Sequence, residues 1–249
     1  MKTAKTICFI PARMGSSRFP GKPLALISGK PLIQRVYDAV VENSNFDLVY
    51  IATPDEEIRS YCIGAGILVV MTGHHHERAT DRCREALEKL NLDPDICVMV
   101  QGDEPLLDRE MFDVTFDAFR DVDSNQIFIT NLAGPLTSND LDNPNVIKVV
   151  VNNQNNALYM SRAHIPACTK ELNENIDASR QVCIIGFTPA ALKLYSDLKP
   201  TPLEVAESID MLRFLENGYP IKMLKVASFS HAVDRPEDVL VIESQLKCN

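Results

Sequence analysis

Ile7-Cys8-Phe9-Ile10-Pro11-Ala12 runs directly into Arg13-Met14-Gly15-Ser16-Ser17-Arg18-Phe19-Pro20-Gly21-Lys22-Pro23, and this junction decides the fold. The first six residues are apolar without alternation, the pattern of a strand buried on both faces. The loop behind them carries Arg13, Arg18 and Lys22, the hydroxyls of Ser16 and Ser17, and small residues that leave backbone N–H groups open. Cations and N–H donors gathered in one short arc suit a polyphosphate. The spacing is not that of a Walker A loop: Gly15 to Gly21 is one residue too long, and Pro23 stands where Ser or Thr would hold magnesium. An ordinary strand-to-helix loop with solvated cations has the same composition, so the rest of the chain has to discriminate.

Outward from the loop, strands and helices alternate. Strands are expected at 6–12, 48–53, 67–71 and 96–100, and helices at 31–41, 55–64, 80–90 and 109–119. Pro31 suits the first helical position. This rhythm implies an α/β fold: a nucleotidyltransferase-type doubly wound, mainly parallel sheet with helices on both faces. Ligands of such sheets sit beyond the carboxyl ends of the strands, the edge that holds both the cationic loop and Asp103. The second half is richer in strands (128–132, 146–151, 157–160, 182–187 and 221–227), with helices expected at 203–217 and 236–245. We read residues 1–249 as a single domain with a β-rich elaboration at about 127–220. Segment 167–180 is polar and weakly patterned, which marks it as a candidate mobile loop or partner contact.

The chain has 249 residues, 45% of them hydrophobic, enough for a sizeable core. No apolar run approaches the ~20 residues that span a bilayer, and the N-terminus lacks a secretory pattern; no membrane insertion and a cytoplasmic location are expected. The seven cysteines are scattered without a CxxC pair, so reduced thiols are expected. A net charge of −9 argues against a nucleic-acid partner. An anionic small substrate stays compatible, because the cations concentrate near the first loop.

Two further motifs carry candidate chemistry. In Val100-Gln101-Gly102-Asp103-Glu104-Pro105 an aspartate follows a buried strand into the ligand crevice. Mg²⁺ prefers a carboxylate together with phosphate oxygens; a turn aspartate is the competing reading. In Ala232-Val233-Asp234-Arg235-Pro236-Glu237-Asp238 an aspartate precedes a helix, where an N-cap is the competing reading. Asp103 and Asp234 together would form a two-carboxylate magnesium site.

These motifs, with Asn143-Pro144-Asn145 and Lys148, Ser161-Arg162-Ala163-His164-Ile165-Pro166 and Pro202-Leu203-Glu204, occur in an order that closely resembles the 3-deoxy-manno-octulosonate cytidylyltransferases, or CMP-Kdo synthetases. The resemblance covers nearly the whole chain. It implies a dimeric enzyme that couples CTP to the keto-sugar acid Kdo for lipopolysaccharide synthesis, with Mg²⁺ as cofactor. It further implies that Arg13 and Lys22 hold the CTP phosphates and, with Asp103, form the catalytic set; that Asp103 and Asp234 bind the metal; and that Ala12, Ser17, Thr80, Arg82 and Gln101 serve the nucleotide. Arg162, Glu204 and Glu207 fall in its sugar-side regions.

Three places depart from the family pattern. A usual His-Gln-Ser-Gly-Thr-Glu-Arg reads His76-Glu77-Arg78-Ala79-Thr80-Asp81-Arg82; His-x-Gly-Ile-Tyr-Gly-Tyr reads Gln181-Val182-Cys183-Ile184-Ile185-Gly186-Phe187; and Glu-Gln-Leu-Arg reads Asp210-Met211-Leu212-Arg213. The phosphate and metal residues are intact while the acceptor side is altered. The expectation is an octulosonate other than ordinary Kdo, such as its 8-amino analogue, with Glu77 as a candidate partner for the amine. A cytidylyltransferase for a nine-carbon sialic-type acid and a non-catalytic nucleotide-binding scaffold are the alternatives. His74-His75-His76 reads as a polar loop, since consecutive histidines diverge on a strand or helix. His164 has two readings, a structural hydrogen bond or a substrate contact.

Overall fold

The computed structural model describes residues 5–16, 18–167, 178–229 and 231–247. In chain order the elements are β1 (Thr6–Pro11), a 3-10 turn (Lys22–Leu24), β2 (Leu26–Ile27), β3 (Lys30–Pro31), α1 (Leu32–Asn43), β4 (Leu48–Thr53), α2 (Glu56–Gly64), β5 (Val69–Met71), α3 (Ala79–Leu90), β6 (Ile96–Val100) and α4 (Arg109–Ala118). Then follow β7 (Ile129–Gly134), α5 (Ser138–Leu141), β8 (Lys148–Val151), β9 (Ala157–Ser161), β10 (Ala178–Phe187), α6 (Pro189–Asp197), α7 (Pro202–Glu207), α8 (Leu212–Glu216), β11 (Lys222–Lys225) and α9 (Asp238–Leu246).

The main sheet runs β11-β7-β10-β6-β1-β4-β5, with β8 on β10 and β9 on β8. Strands β6, β1, β4 and β5 are mutually parallel, as are β7 and β11. β10 is antiparallel to β6, β7 and β8 and joins the two parallel groups. Side chains alternate across the sheet. Cys8, Ile10, Val98 and Val100 therefore pack with Ile33, Val36, Phe112 and Ile242 on the face covered by α1, α4 and α9. Ile7, Phe9, Cys97 and Met99 pack with Cys83, Leu87, Leu192 and Phe214 on the face covered by α3, α6 and α8. Burial on both sides explains the unbroken apolar run of β1.

Helix α1 buries Leu32, Ile33, Val36, Ala39 and Val40, the stripe expected of its spacing; Pro31 stands at its N-cap, one residue earlier than expected. The single helix expected at 203–217 is two. Ser208 (φ 54°) adopts the left-handed conformation that ends α7, and Asp210 turns inward to accept hydrogen bonds from the Thr80 N–H (3.0 Å) and hydroxyl (2.8 Å). Those tertiary bonds override the helical pattern of the sequence. Helix α6 was not expected; its local signal is Thr188-Pro189, where the threonine hydroxyl accepts from the Ala191 N–H and proline opens the helix. Of segment 167–180, residues 168–177 lie outside the described residues and 178–180 begin β10. Among the described residues no helix is long and apolar enough to cross a membrane.

Candidate functional site

The cationic loop folds over the carboxyl end of β1. Its Met14 N–H donates to the Asp55 carboxylate (2.7 Å), and the Gly21 N–H closes back on the Met14 carbonyl (3.1 Å). Gly21 sits at φ 74°, a conformation that glycine adopts freely. The next parallel strand, β6, delivers Gln101, Gly102 and Asp103 beside this loop. A side chain on Gly102 would lie 2.9 Å from the Pro11 carbonyl oxygen. Glycine is therefore what lets the two strand ends converge.

A cleft of about 420 Å³ results. Ala12, Arg13, Arg18 and Lys22 form one wall, Gln101 to Asp103 the base, and Arg78, Arg162 and Asp210 the far side. It adjoins a smaller cavity of about 160 Å³, which shares Arg18, Gln101, Asp103 and Arg162 and adds Glu104, Arg180, Gln181, Cys183 and Asp234.

Asp103 and Asp234 are brought together. The Val233 N–H donates to the Asp103 carbonyl at 2.9 Å, which docks the late loop on the end of β6. Lys22 Nζ donates to Asp103 Oδ2 at 2.7 Å and Arg18 Nη2 donates to Asp234 Oδ1 at 2.8 Å. Asp103 Oδ1 is buried and has no hydrogen-bond partner among the described residues. Asp234 is not a helix cap: α9 opens at Asp238, whose own carboxylate accepts from the Asp234 and Arg235 N–H groups (2.8 Å each). That capping by Asp238 leaves the Asp234 side chain free to face the cavity. An unpaired carboxylate oxygen, two acidic side chains and an all-oxygen donor set fit a hard divalent cation such as Mg²⁺.

Arg162 borders both cavities. Its main-chain N–H donates to Glu207 Oε2 (2.9 Å), and its guanidinium to the carbonyls of Glu207 (2.8 Å) and Pro144 (3.0 Å). Burial, then the charge of Arg18, lowers its pKa from the ordinary arginine value. Lys148, fully buried, holds this corner by donating to the carbonyls of Asn143 (3.0 Å), Val146 (2.9 Å) and Arg162 (2.6 Å). Glu104 is the one glutamate among the acidic side chains that line the smaller cavity. Burial, aided by the charge of Asp103, raises its pKa to about 7, and its Oε2 has no hydrogen-bond partner among the described residues.

Several expected site residues stand behind the cleft. Thr80 is fully buried and bonded to Asp210 rather than open to a nucleotide. Arg82, 3% exposed, clamps the carbonyls of Gly73 (3.2 Å) and His76 (3.3 Å) and lines a side pocket of about 140 Å³ with Ala12, Arg13 and Arg78. Glu204, expected on the sugar side, is fully buried: Arg213 donates to both its oxygens (2.8 and 2.7 Å) and Arg78 Nε to one (3.1 Å). Glu207 positions Ser161 and Arg162. Ser17 lies outside the described residues. His164 pairs with Asp142 at 3.1 Å, which favours its structural reading. Glu77 borders the cleft beside Ala12 and Arg13 and does not line the smaller cavity. Arg78, Glu104 and Arg180 were not singled out from the sequence; the strand-end position of Glu104 was a usable signal, whereas Arg180 ends the weakly patterned segment 167–180, which offered none.

Fold and cleft define a nucleotidyltransferase-type protein: phosphate-suited cations after the first strand, and paired carboxylates at the sheet's ligand edge. The profile of the cytidylyltransferase family matches residues 7–225. The chain is 40% identical over 245 residues to the mitochondrial 3-deoxy-manno-octulosonate cytidylyltransferase of Arabidopsis thaliana, covering 98% of this chain and 84% of that one. It is 39% identical over 253 residues to the 3-deoxy-manno-octulosonate cytidylyltransferase of Nitratidesulfovibrio vulgaris, covering 99% of each. A solved structure of CMP:2-keto-3-deoxy-manno-octonic acid synthetase complexed with CTP superposes with a TM-score of 0.88 at 32% identity, over 98% of this chain and 99% of that one. The chain belongs to the 3-deoxy-manno-octulosonate cytidylyltransferase family.

Proposed function

We propose that the protein is a Mg²⁺-dependent cytidylyltransferase that joins CTP to a 3-deoxy-octulosonate-type acid, giving the CMP-sugar and pyrophosphate. The observation that carries this reading is the meeting of Asp103 and Asp234 beside Lys22 and Arg18, with one Asp103 oxygen unpaired. Arg13 and Lys22 bind the triphosphate and offset charge growing on the departing pyrophosphate. Gln101 and Ala12 face the nucleotide, and Arg162 faces the acid's carboxylate. The anomeric oxygen attacks the α-phosphorus as the bond to the β-phosphate bridging oxygen breaks, and the hydroxyl proton leaves to solvent. Asp103 and Asp234 would hold the magnesium, which when bound supplies Lewis-acid activation of the hydroxyl and charge neutralisation. Burial around Arg162 and Glu104 limits water, and so limits hydrolysis of the nucleotide.

The acceptor reading is narrower. Gln181 and Ile185 border the smaller cavity where the family pattern has His and Tyr, and Glu104 is a carboxylate suited to a cationic amine. This lining supports an 8-amino octulosonate as the acceptor, with lipopolysaccharide synthesis in the cytoplasm as the accompanying role. A homodimer is part of the same reading; exposed Leu158 and Val205 on β9 and α7 support it. The test is pyrophosphate release from CTP with Kdo and its 8-amino analogue, with and without Mg²⁺. Turnover that survives chelation removes the metal reading, faster use of Kdo removes the amine reading, and binding without turnover of either acid removes the enzyme reading.

A further inference from the structure

His74, His75 and His76 lie in a polar loop, as expected, but two of the three rings do not diverge. They lie in a turn between β5 and α3 rather than on a regular element, and a turn does not force neighbouring side chains apart. The rings of His75 and His76 face one another with centroids 4.1 Å apart. Glu85, one turn into α3 and beyond, completes the group: one donor atom from each of His75, His76 and Glu85 lies within 4.8 Å of the other two. His76 Nε2 is in direct contact with Glu85 Oε2.

We propose that His75, His76 and Glu85 form a second metal site, for a borderline transition ion such as Zn²⁺, at the rim of the cleft and separate from the Asp103–Asp234 pair. Two imidazoles and a carboxylate make the N₂O donor set that such ions favour over Mg²⁺. Tetrahedral bonds of about 2.0–2.1 Å place donors roughly 3.3 Å apart, so small rotations of the partly buried His76 ring and the exposed His75 ring bring the three onto one ion, with a water in the fourth position.

The surroundings are built for this convergence. A side chain on Gly73 would lie 2.4 Å from the His75 ring, so glycine leaves room for the ring in this position. The Gly73 N–H donates to Glu85 Oε2 at 2.8 Å and fixes the carboxylate's orientation, while Lys89 Nζ holds the other oxygen at 2.7 Å. Outer bonds of this kind orient metal ligands. Lys89 and Arg82 place positive charge nearby, which weakens cation binding at this group. The turn also carries Glu77 and Arg78 to the cleft, so the ion would stiffen that wall.

The experiment uses full-length protein without a histidine tag, carrying Asp103→Asn so that the carboxylate pair does not compete. Cobalt(II) and zinc are titrated, following the visible bands of four-coordinate cobalt and the heat of zinc binding. One equivalent is expected to bind. His75→Asn should lower affinity by at least the roughly 10- to 100-fold that loss of an outer-shell partner alone costs, and Glu85→Gln should do the same. Should Glu85→Gln unfold the turn, His75→Asn at its exposed position still decides. Absence of a four-coordinate cobalt spectrum, or equal zinc affinity with and without His75, overturns the site.

Discussion

Asp103 has two oxygens in different situations: one is held by Lys22 and the other is buried without a partner. Asp103→Asn preserves shape and removes charge. Turnover should fall by about 10²-fold or more, the scale of losing one transition-state stabiliser, with CTP affinity changed far less; equilibrium binding beside pyrophosphate release checks this. Glu204 behaves differently, because its partners are structural. Burial raises its pKa, but hydrogen bonds and charge from Arg213, with help from Thr201 and Arg78, bring it below the usual carboxylate value. A depressed folded pKa means that its contribution is complete above the unfolded value, about 4.3, and is lost as pH falls through the folded one. Glu204→Gln should cost about 3 kcal/mol at pH 7, as breaking a buried ion pair does, and the gap to wild type should close below pH 4; urea titrations across that range measure it. The residue types at the strand ends were legible because few positions lead out of a buried strand into a crevice. The pairing of Thr80 with Asp210 and of Glu204 with Arg78 was not, because these partners lie far apart along the chain and no local spacing announces a long-range bond.

Elements tell the same story with a sharper cause. β1, β4, β6 and α1 were legible because both faces of the strands and one stripe of the helix are buried, which writes itself into the apolar pattern. The break between α7 and α8 was hidden, since Ser208 and Asp210 leave the helical spacing of the flanking residues intact and act through tertiary bonds. The antiparallel run of β10 was also hidden, because strand direction depends on connection and not on composition. Two predictions belong here. Gly102→Ala forces a methyl group towards the Pro11 carbonyl and Ile33; displacement of Asp103 should reduce turnover by about tenfold or more, since small misplacements are costly, and kinetics on the folded variant tests it. Lys148→Met strips three carbonyls of their donor at once. At about 1–3 kcal/mol for each unsatisfied group, destabilisation of at least about 3 kcal/mol is expected by chemical denaturation.

At the scale of the molecule, the core hides its thiols. Cys8, Cys62, Cys83 and Cys97 are buried and free, and burial raises the pKa of each, to about 11 for Cys62 and about 12 for Cys97. Native protein should leave these four unmodified by a thiol reagent that labels them all in denaturant; site-resolved mass spectrometry reads the difference, and native labelling of Cys97 would contradict the packing. The sheet is likewise two parallel groups joined by one reversed strand. Where β10 meets β7 its pairing slips between Val182 and Ile185, and Arg180, Gln181, Cys183 and Ile185 from this stretch all border the smaller cavity. The chain thus keeps its adjustable positions on a single short ribbon, remote in sequence from the residues that grip phosphate. Libraries confined to 180–185 have a route to new acceptor preferences while nucleotide handling is inherited unchanged.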